Sequence, residues 1–545
     1  MASPGPRSLT LEGLPDDVLF LIAQKVPQTR FDGLQDMAST SWRLRHICIP
    51  IVFAHCYMDV PHEDVPVDFR PFVRKLTCYG PTTYMGATKF EEMFRARLEP
   101  LPNLICVRFH RTSVGVTPAL IDIVLKKVPR LEIDWSARWS YNGPIQADRI
   151  YTVPNTLTHL SYEPFTWRDS LTGQALEAEF ALESRYLVQL LCGMHANAQS
   201  LLLPMESAPL AAMLELPWPN IRDLSLRGQY PASLSERLFP EFLIRVLPQL
   251  QSLCVRAAPQ NTHPRPPILG PSMTSESITL PDLRSLTVAY PDPADAIFNI
   301  SAPRLTHLSL CDQPRYYYAR GVPEHVPDWF AAPILRASEC LGILQRMETP
   351  LLESIELVYQ ADTAEDDLLR HLATYPRLEI VELHRYREHD PDPVPYVHVV
   401  TALSAISCLR RLYLNLDFQE MPPVRDKTLW RHTWNARPWV DFRNAQAQEF
   451  LKILQSCPRF EYLALLDPRL LTYCEHVAIK AAAALMLEDA ARPDPRARPP
   501  LSARTSRAPL DTLETERNQA GTDDLKYRGK HLLKHLPINT TTRAR

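Results

Sequence analysis

Short runs of alternating apolar and polar positions recur along this chain, and each follows the same lead-in. The phrase is Pro, any residue, a large apolar residue, two residues, an apolar residue, one more residue, and another apolar one. It occurs at Pro102-Leu104-Val107-Phe109, Pro219-Ile221-Leu224-Leu226, Pro248-Leu250-Leu253-Val255 and Pro281-Leu283-Leu286-Val288. It continues at Pro303-Leu305-Leu308-Leu310, Pro350-Leu352-Ile355-Leu357, Pro376-Leu378-Val381-Leu383 and Pro458-Phe460-Leu463-Leu465. The closing alternation predicts a short strand with one buried face. Amphipathic helical stretches lie upstream at Leu120 to Lys127, Glu241 to Leu247, Leu368 to Thr374 and Ala447 to Gln455. The proline is expected to end each helix and set an extended path into the strand. Weaker copies stand at Val73-Leu76-Cys78, Leu131-Ile133, Leu157-Leu160-Tyr162, Ala198-Leu201-Leu203 and Leu409-Leu412-Leu414. Three longer gaps, 158–197, 311–349 and 415–457, read as insertions or unrecognised repeats.

One supersecondary phrase repeated many times predicts a solenoid of helix, turn and strand, each unit burying its apolar face against its neighbours. The expected fold class is α/β, with parallel strands on a concave side and helices on a convex side. Most spacings, counting the weaker copies, fall between the 22 residues from Pro281 to Pro303 and the 33 from Pro248 to Pro281. That is close to the roughly 20–29 of leucine-rich repeats, which the phrase resembles. The Asn or Cys that usually follows the last leucine is missing. The array is therefore expected to be irregular, with an imperfect hydrogen-bond ladder. A Leu-rich α/β protein with one ordinary sheet is the competing architecture. A solenoid is a surface for holding another molecule, which points to binding and away from catalysis. No nucleophile elbow, Walker phosphate loop, H-E-x-x-H or kinase signature occurs, so an enzyme is the least supported class.

Residues 13–60 lack the phrase and read as three short helices. Asp16 and Asp17 complement the dipole at the start of the first, behind Leu14-Pro15. Val18, Leu19, Ile22 and Val26 form its apolar stripe, and Pro27 stops it. Phe31, Leu34 and Met37 give the second stripe. Ser41 is placed to cap a third helix whose face is Leu44, Ile47, Cys48 and Ile51. This segment resembles an F-box, on Leu14-Pro15-x-x-Val18-Leu19-x-x-Ile22, then Leu34, Ser41-x-Arg43-Leu44-Arg45, Pro50 and Phe53. The resemblance implies docking on the Skp adaptor of cullin-type ubiquitin ligases, with Leu14, Pro15, Val18, Leu19 and Ile22 against the adaptor. Leu34 and Leu44 would complete that surface or the unit's own core. It also implies that the repeats hold a protein target, as in fungal F-box-like proteins with irregular repeats. The alternative is a repeat scaffold outside any ligase, whose N-terminal helices only cap the solenoid.

Composition narrows the partners. The chain has 545 residues and a formal net charge of -3, so no global charge argues for a nucleic-acid or membrane partner. Its 52 prolines against 15 glycines disfavour a Gly-rich phosphate loop. Eleven cysteines without a CxxC pair, such as Cys106, Cys254 and Cys408 in apolar runs, read as reduced core thiols of a cytoplasmic or nuclear protein. Met1 to Thr10 lacks a signal-peptide apolar region, no apolar run reaches the ~18 residues of a membrane span, and the sequons at Asn299 and Asn539 carry no weight. No cofactor is implied. His384 and His389 lie in a charged stretch without a placed third ligand, so a solvated loop is expected there and no metal.

Aromatic and basic clusters between the repeats are candidate target contacts: Trp135 and Trp139, the run Tyr316, Tyr317 and Tyr318, and Trp439 after Arg437-Pro438. Trp430 and Trp434, at helical spacing, fit an extra helix packed on the solenoid better than a target contact. From about 489 onward, Pro, Arg, Ser and Thr replace aliphatics. A disordered basic tail is expected, its clusters at Arg492–Arg507 and Lys526–Lys534 suited to nuclear import or an anionic surface. The expected organisation is a disordered start (1–12), the helical unit (13–60), the solenoid (61–475) and the tail (489–545).

Overall fold

The computed structural model of the protein describes residues 11–26, 31–60, 62–79, 86–110, 116–133, 157–162, 174–230, 241–243, 246, 249–258, 265, 267–269, 280–313, 334–387, 394–418, 437–467 and 472–477. The chain packs as two compact units, Met1–Ala257 and Ala258–Arg545. The first begins with three helices, α1 (Asp16–Lys25), α2 (Phe31–Thr40) and α3 (Trp42–Val52). Strands follow: β1 (His55–Asp59), β2 (Lys75–Tyr79), β3 (Cys106–His110), β4 (Arg130–Ile133), β5 (His159–Tyr162), β6 (Ser200–Pro204), β7 (Asp223–Gln229) and β8 (Ser252–Ala258). Between them lie helices α4 (Ala87–Leu98), α5 (Pro118–Leu125), α6 (Gln174–Met194) and α7 (Leu210–Leu214).

The second unit holds β9 (Ser285–Ala289), β10 (His307–Cys311), β11 (Leu335–Arg336), α8 (Ala337–Arg346), β12 (Ser354–Gln360), α9 (Glu365–Leu372) and β13 (Ile380–Tyr386). It ends with α10 (Tyr396–Leu403), β14 (Arg411–Asn415), α11 (Arg437–Leu454), β15 (Tyr462–Asp467) and β16 (Thr472–Val477). Within each unit the strands line up in chain order, with β11 set aside on β12. The pairings from β1 to β7 and from β9 to β15 are parallel, for example β2 on β3 and β12 on β13, and β15 with β16 is antiparallel. Each unit is thus a parallel-stranded α/β solenoid and not an ordinary sheet with shuffled strand order.

The recurring phrase owes its form to register. The second residues of successive strands are Cα partners: Leu76 meets Val107, Val107 meets Leu131, Leu131 meets Leu160, and Leu160 meets Leu201. In the second unit Leu286, Leu308, Ile355, Val381, Leu412 and Leu463 form the same row. Except for Cys56 on the edge strand, these residues and the fourth-position row behind them are buried. They pack beneath helices whose inner faces are also buried, such as Leu368, Leu369 and Leu372 of α9. At roughly 1.5–3 kcal/mol for each fully buried large aliphatic, these rows are the main stabilising element of the fold.

The prolines act differently from expectation. Helix α9 ends at Leu372 and α11 at Leu454, each four residues before Pro376 and Pro458, so proline does not stop them. It sits instead in a tight turn. The N–H of Leu283 donates to Leu280 O (3.3 Å), Leu305 to Ala302 O (3.0 Å), Leu352 to Thr349 O (3.2 Å) and Phe460 to Cys457 O (3.4 Å). Proline occupies the second position of each four-residue turn, where its fixed φ is already correct. The matching turn from Ile406 to Leu409 (3.2 Å) has Ser407 there.

The absence of a regular Asn or Cys suggested a broken ladder, and the backbone supplies one. Ala54 O accepts from both Arg74 N (2.9 Å) and Lys75 N (2.8 Å), and Thr158 O from Gln199 N (2.8 Å) and Ser200 N (3.2 Å). Thr306 O, Glu353 O, Glu379 O and Arg410 O repeat the arrangement in the second unit. One carbonyl at the start of each rung therefore serves two donors of the next, which leaves no need for a side-chain ladder.

The long gaps also resolve. The gap at 158–197 contains the 21-residue α6, 415–457 the 18-residue α11, and 311–349 both β11 and α8. Three strands were missed. β1 lies inside the segment assigned to the helices, so the strand array begins before residue 61. β11 is only two residues long. β16 pairs antiparallel with β15 and carries no phrase.

Candidate functional site

The three N-terminal helices build a small closed core. Ala23, Leu34 and Cys48 pack together with Val26, Met37, Ile47 and Ile51 around them, and Leu19 and Leu44 are buried beside this cluster. Ser41 Oγ accepts from Leu44 N (3.3 Å) and caps α3 as expected. Pro15 is the N-cap of α1 and not its first residue, with Asp16 and Asp17 in the first turn. Arg43 ties α3 to the start of α1, donating to Leu14 O (2.7 Å) and pairing with Asp16 (2.5 Å). Phe53, at the end of α3, stacks on Phe69 with ring centroids 4.0 Å apart, anchoring the helices to the segment before β2.

This packing divides the expected docking set. Leu19 is interior, not on the surface, and Leu34 and Leu44 take the alternative expected for them, the unit's own core. Leu14 is half-buried and Pro15 exposed. What α1 presents outward is Val18 (36% exposed), Leu21 (59%) and Ile22 (37%), with Leu11 and Trp42 also exposed. Leu21 and Trp42 were missed by the sequence reading. The available signal was an apolar residue next to the stripe of α1 that the small helical core has no room to bury.

The second surface is the strand face opposite the helices, carrying the first, third and fifth residues of each strand. In the first unit it is partly open. Tyr57, Thr77, Arg108 and Glu132 are consecutive Cα partners in the third row, and Lys75, Cys106 and Arg130 in the first. Lys75 Nζ reaches across β3 to pair with Glu132 (2.6 Å), and Cys106 Sγ donates to the same carboxylate (3.4 Å). Aromatic rings run along this face: His55 to Tyr57 at 4.5 Å, Tyr57 to Tyr79 at 6.2 Å, and Tyr79 to His110 at 4.9 Å between centroids.

The charge of this face shows in its titratable groups. Burial first, then Lys75 and Arg108, push the His55 imidazole down to about 4, with Glu132 opposing. Burial pushes the Glu132 carboxyl up, but the hydrogen bond and charge of Lys75, with Arg108, more than reverse this and hold it low. Lys75 and Arg108 thus act in the same sense at both groups, against a cation at His55 and for the anion at Glu132, although burial is the larger cause at His55.

In the second unit the third and fifth rows are closed except at Glu382, whereas the first row stays open, with Arg411 exposed. Thr287, Ser309, Glu356, Tyr413 and Ala464 of the third row are all buried. Tyr413, Ala464 and Leu466 form one apolar cluster there, and Ala289, Tyr290, Cys311, Ile334, Val358 and Tyr386 another. Glu356, Glu382 and His384 bring three donor atoms within 4.8 Å of one another. His384 Nε2 lies 2.9 Å from Glu382 Oε1, and Ser309 Oγ donates to Glu356 (2.5 Å). His384 is therefore a buried residue of β13, not part of a solvated loop; His389 lies outside the described residues.

Trp135, Trp139 and Tyr316, Tyr317 and Tyr318 lie outside the described residues, as do Trp430 and Trp434. Trp439 falls within α11. The described cysteines are free thiols. Cys254 and Cys408 are only half-buried, unlike the core thiols expected at those places. Among the described residues no helix is long and apolar enough to cross a membrane.

No protein-family model matches the chain. No curated protein matches it. Among solved structures, a crystal structure of the yeast Rad7 and Elc1 complex is similar over 74% of this chain and 90% of that one, at 12% identity and a TM-score of 0.40.

Proposed function

We propose that this protein is the target-recognition subunit of a cullin-type ubiquitin ligase, binding a Skp-type adaptor through α1 and a target protein through its strand face. The observation that carries this reading is the outward apolar set of Val18, Leu21 and Ile22 on a helical unit whose own core is already complete. An exposed apolar patch on a small unit is a mark of an interface. The F-box-like order Leu14-Pro15-x-x-Val18-Leu19-x-x-Ile22 supports the choice of adaptor. The chain itself makes and breaks no bond in this scheme. It raises the effective concentration of target beside the transferring enzyme.

Co-purification with a Skp-type adaptor tests the proposal. Val18→Asp/Ile22→Asp should abolish capture and leave the circular dichroism spectrum unchanged, because both side chains are already outside the core. Leu19→Asp should unfold the helical unit. Capture of adaptor by Val18→Asp/Ile22→Asp at wild-type levels, or no capture by the wild type, would reject the adaptor role in favour of a scaffold whose helices only cap the solenoid.

A further inference from the structure

The strand face of the first unit is more open in its third and fifth rows than that of the second, and its groups point to a class of partner. On β2 to β4 its basic residues are Lys75 and Arg130 in the first row and Arg108 in the third. Arg130 is exposed and Arg108 half-exposed. The acidic residues on the same rungs are Asp59, at the edge strand, and Glu132. The carboxylate of Glu132 lies across the strands, donated to by Lys75 and Cys106. The face therefore already holds one carboxylate from this chain, with Arg108 its cross-strand neighbour in the third row and Arg130 two residues before it on the same strand, in the first row. Beside these cations, Tyr57 is 50% exposed and joined through Tyr79 to His110. Rungs repeat every ~4.8 Å, so the cations of the first and third rows and the rings of the third and fifth are presented in adjacent rows across the strands.

We infer that this face docks an acidic, extended peptide segment of the target protein, its carboxylates meeting Arg108 and Arg130 and its apolar or aromatic side chains lying on Tyr57 and Tyr79. The inference rests on the target-binding half of the proposed function and not on the adaptor. Guanidinium groups pair with carboxylates in a planar, two-point geometry, and tyrosines offer large contact area at low entropy cost. A polynucleotide would find Glu132 and Asp59 in the path of its phosphates, which an alternating acidic and aromatic peptide can avoid by register.

Fluorescence anisotropy on the full chain at neutral pH tests this with a short labelled peptide alternating Glu and Tyr, against the same peptide with Gln for Glu. The Glu peptide should bind at least about tenfold more tightly, and its affinity should fall as salt rises. Arg108→Glu/Arg130→Glu should weaken it by about tenfold or more. Arg370→Glu, on an exposed position of α9, should have no effect. If the charge reversal lowers thermal stability, Arg108→Gln/Arg130→Gln replaces it. Equal affinity for the two peptides, no effect of either double substitution, or tighter binding of single-stranded RNA than of the Glu peptide would overturn the inference. Adaptor capture measured on the same variants should be unchanged, so the two readings fail separately.

Discussion

At the scale of single residues, neighbours in sequence take opposite roles. Val18 and Leu19 are adjacent apolar residues on one helix, yet Leu19 is fully buried and Val18 is 36% exposed. Sequence periodicity places both on a stripe about a third of the helix wide and cannot say which edge of the stripe a small core will use. His55 is another residue whose behaviour depends on its surroundings. Its imidazole stays neutral down to about 4 in the fold, chiefly through burial and then Lys75 and Arg108, whereas an unfolded histidine protonates near its ordinary value of 6.5. As pH falls, the unfolded chain takes up the proton first. The stabilisation from His55 is therefore fully present above about pH 6.5 and is lost between about 6.5 and 4. Urea midpoints measured across that window should fall for the wild type and fall less for His55→Gln, which retains a side-chain partner for Thr77.

At the scale of elements, the phrase was legible because each of its positions has a separate physical cause. The apolar residues form the buried rows, and proline pre-sets the turn before each strand. Their costs on removal should differ accordingly. Leu308→Ala leaves a cavity in a row that is fully buried and should cost about 2–5 kcal/mol. Pro303→Ala keeps the turn and changes mainly the unfolded chain, so it should cost only about 0.4–1 kcal/mol. Denaturant unfolding of the two variants under one condition checks the contrast. The elements that escaped the sequence reading, β1, β11 and β16, lack one of those causes. β1 follows α3 after only the turn at Phe53 and Ala54, with Ile51 in the proline's place, β11 has only Leu335 and Arg336 to pair, and β16 runs antiparallel, where no crossover is required.

At the scale of the whole molecule, the proposed surfaces separate by chemistry: an apolar patch on α1 and a cationic, aromatic face on the first unit's strands. Proximity labelling in cells should separate their partners. Val18→Asp/Ile22→Asp should lose adaptor and cullin components and retain the rest, whereas Arg108→Glu/Arg130→Glu should lose a different, acidic set. Loss of one common set by both variants would show that the surfaces do not act independently.

Alternation with period two and a proline at each turn are local properties, so the sequence alone determined that strands would stack in parallel behind helices. They do not depend on which rung neighbours which. Whether a strand face is open is a long-range property. Thr287 and Ser309 look in sequence no more buried than Ser161, and only the packing closes most of the second unit's third row while leaving Arg108 and Tyr57 accessible in the first unit's. The same holds for α1, where the volume of the cluster around Ala23, Leu34 and Cys48 decides which apolar side chains remain outside.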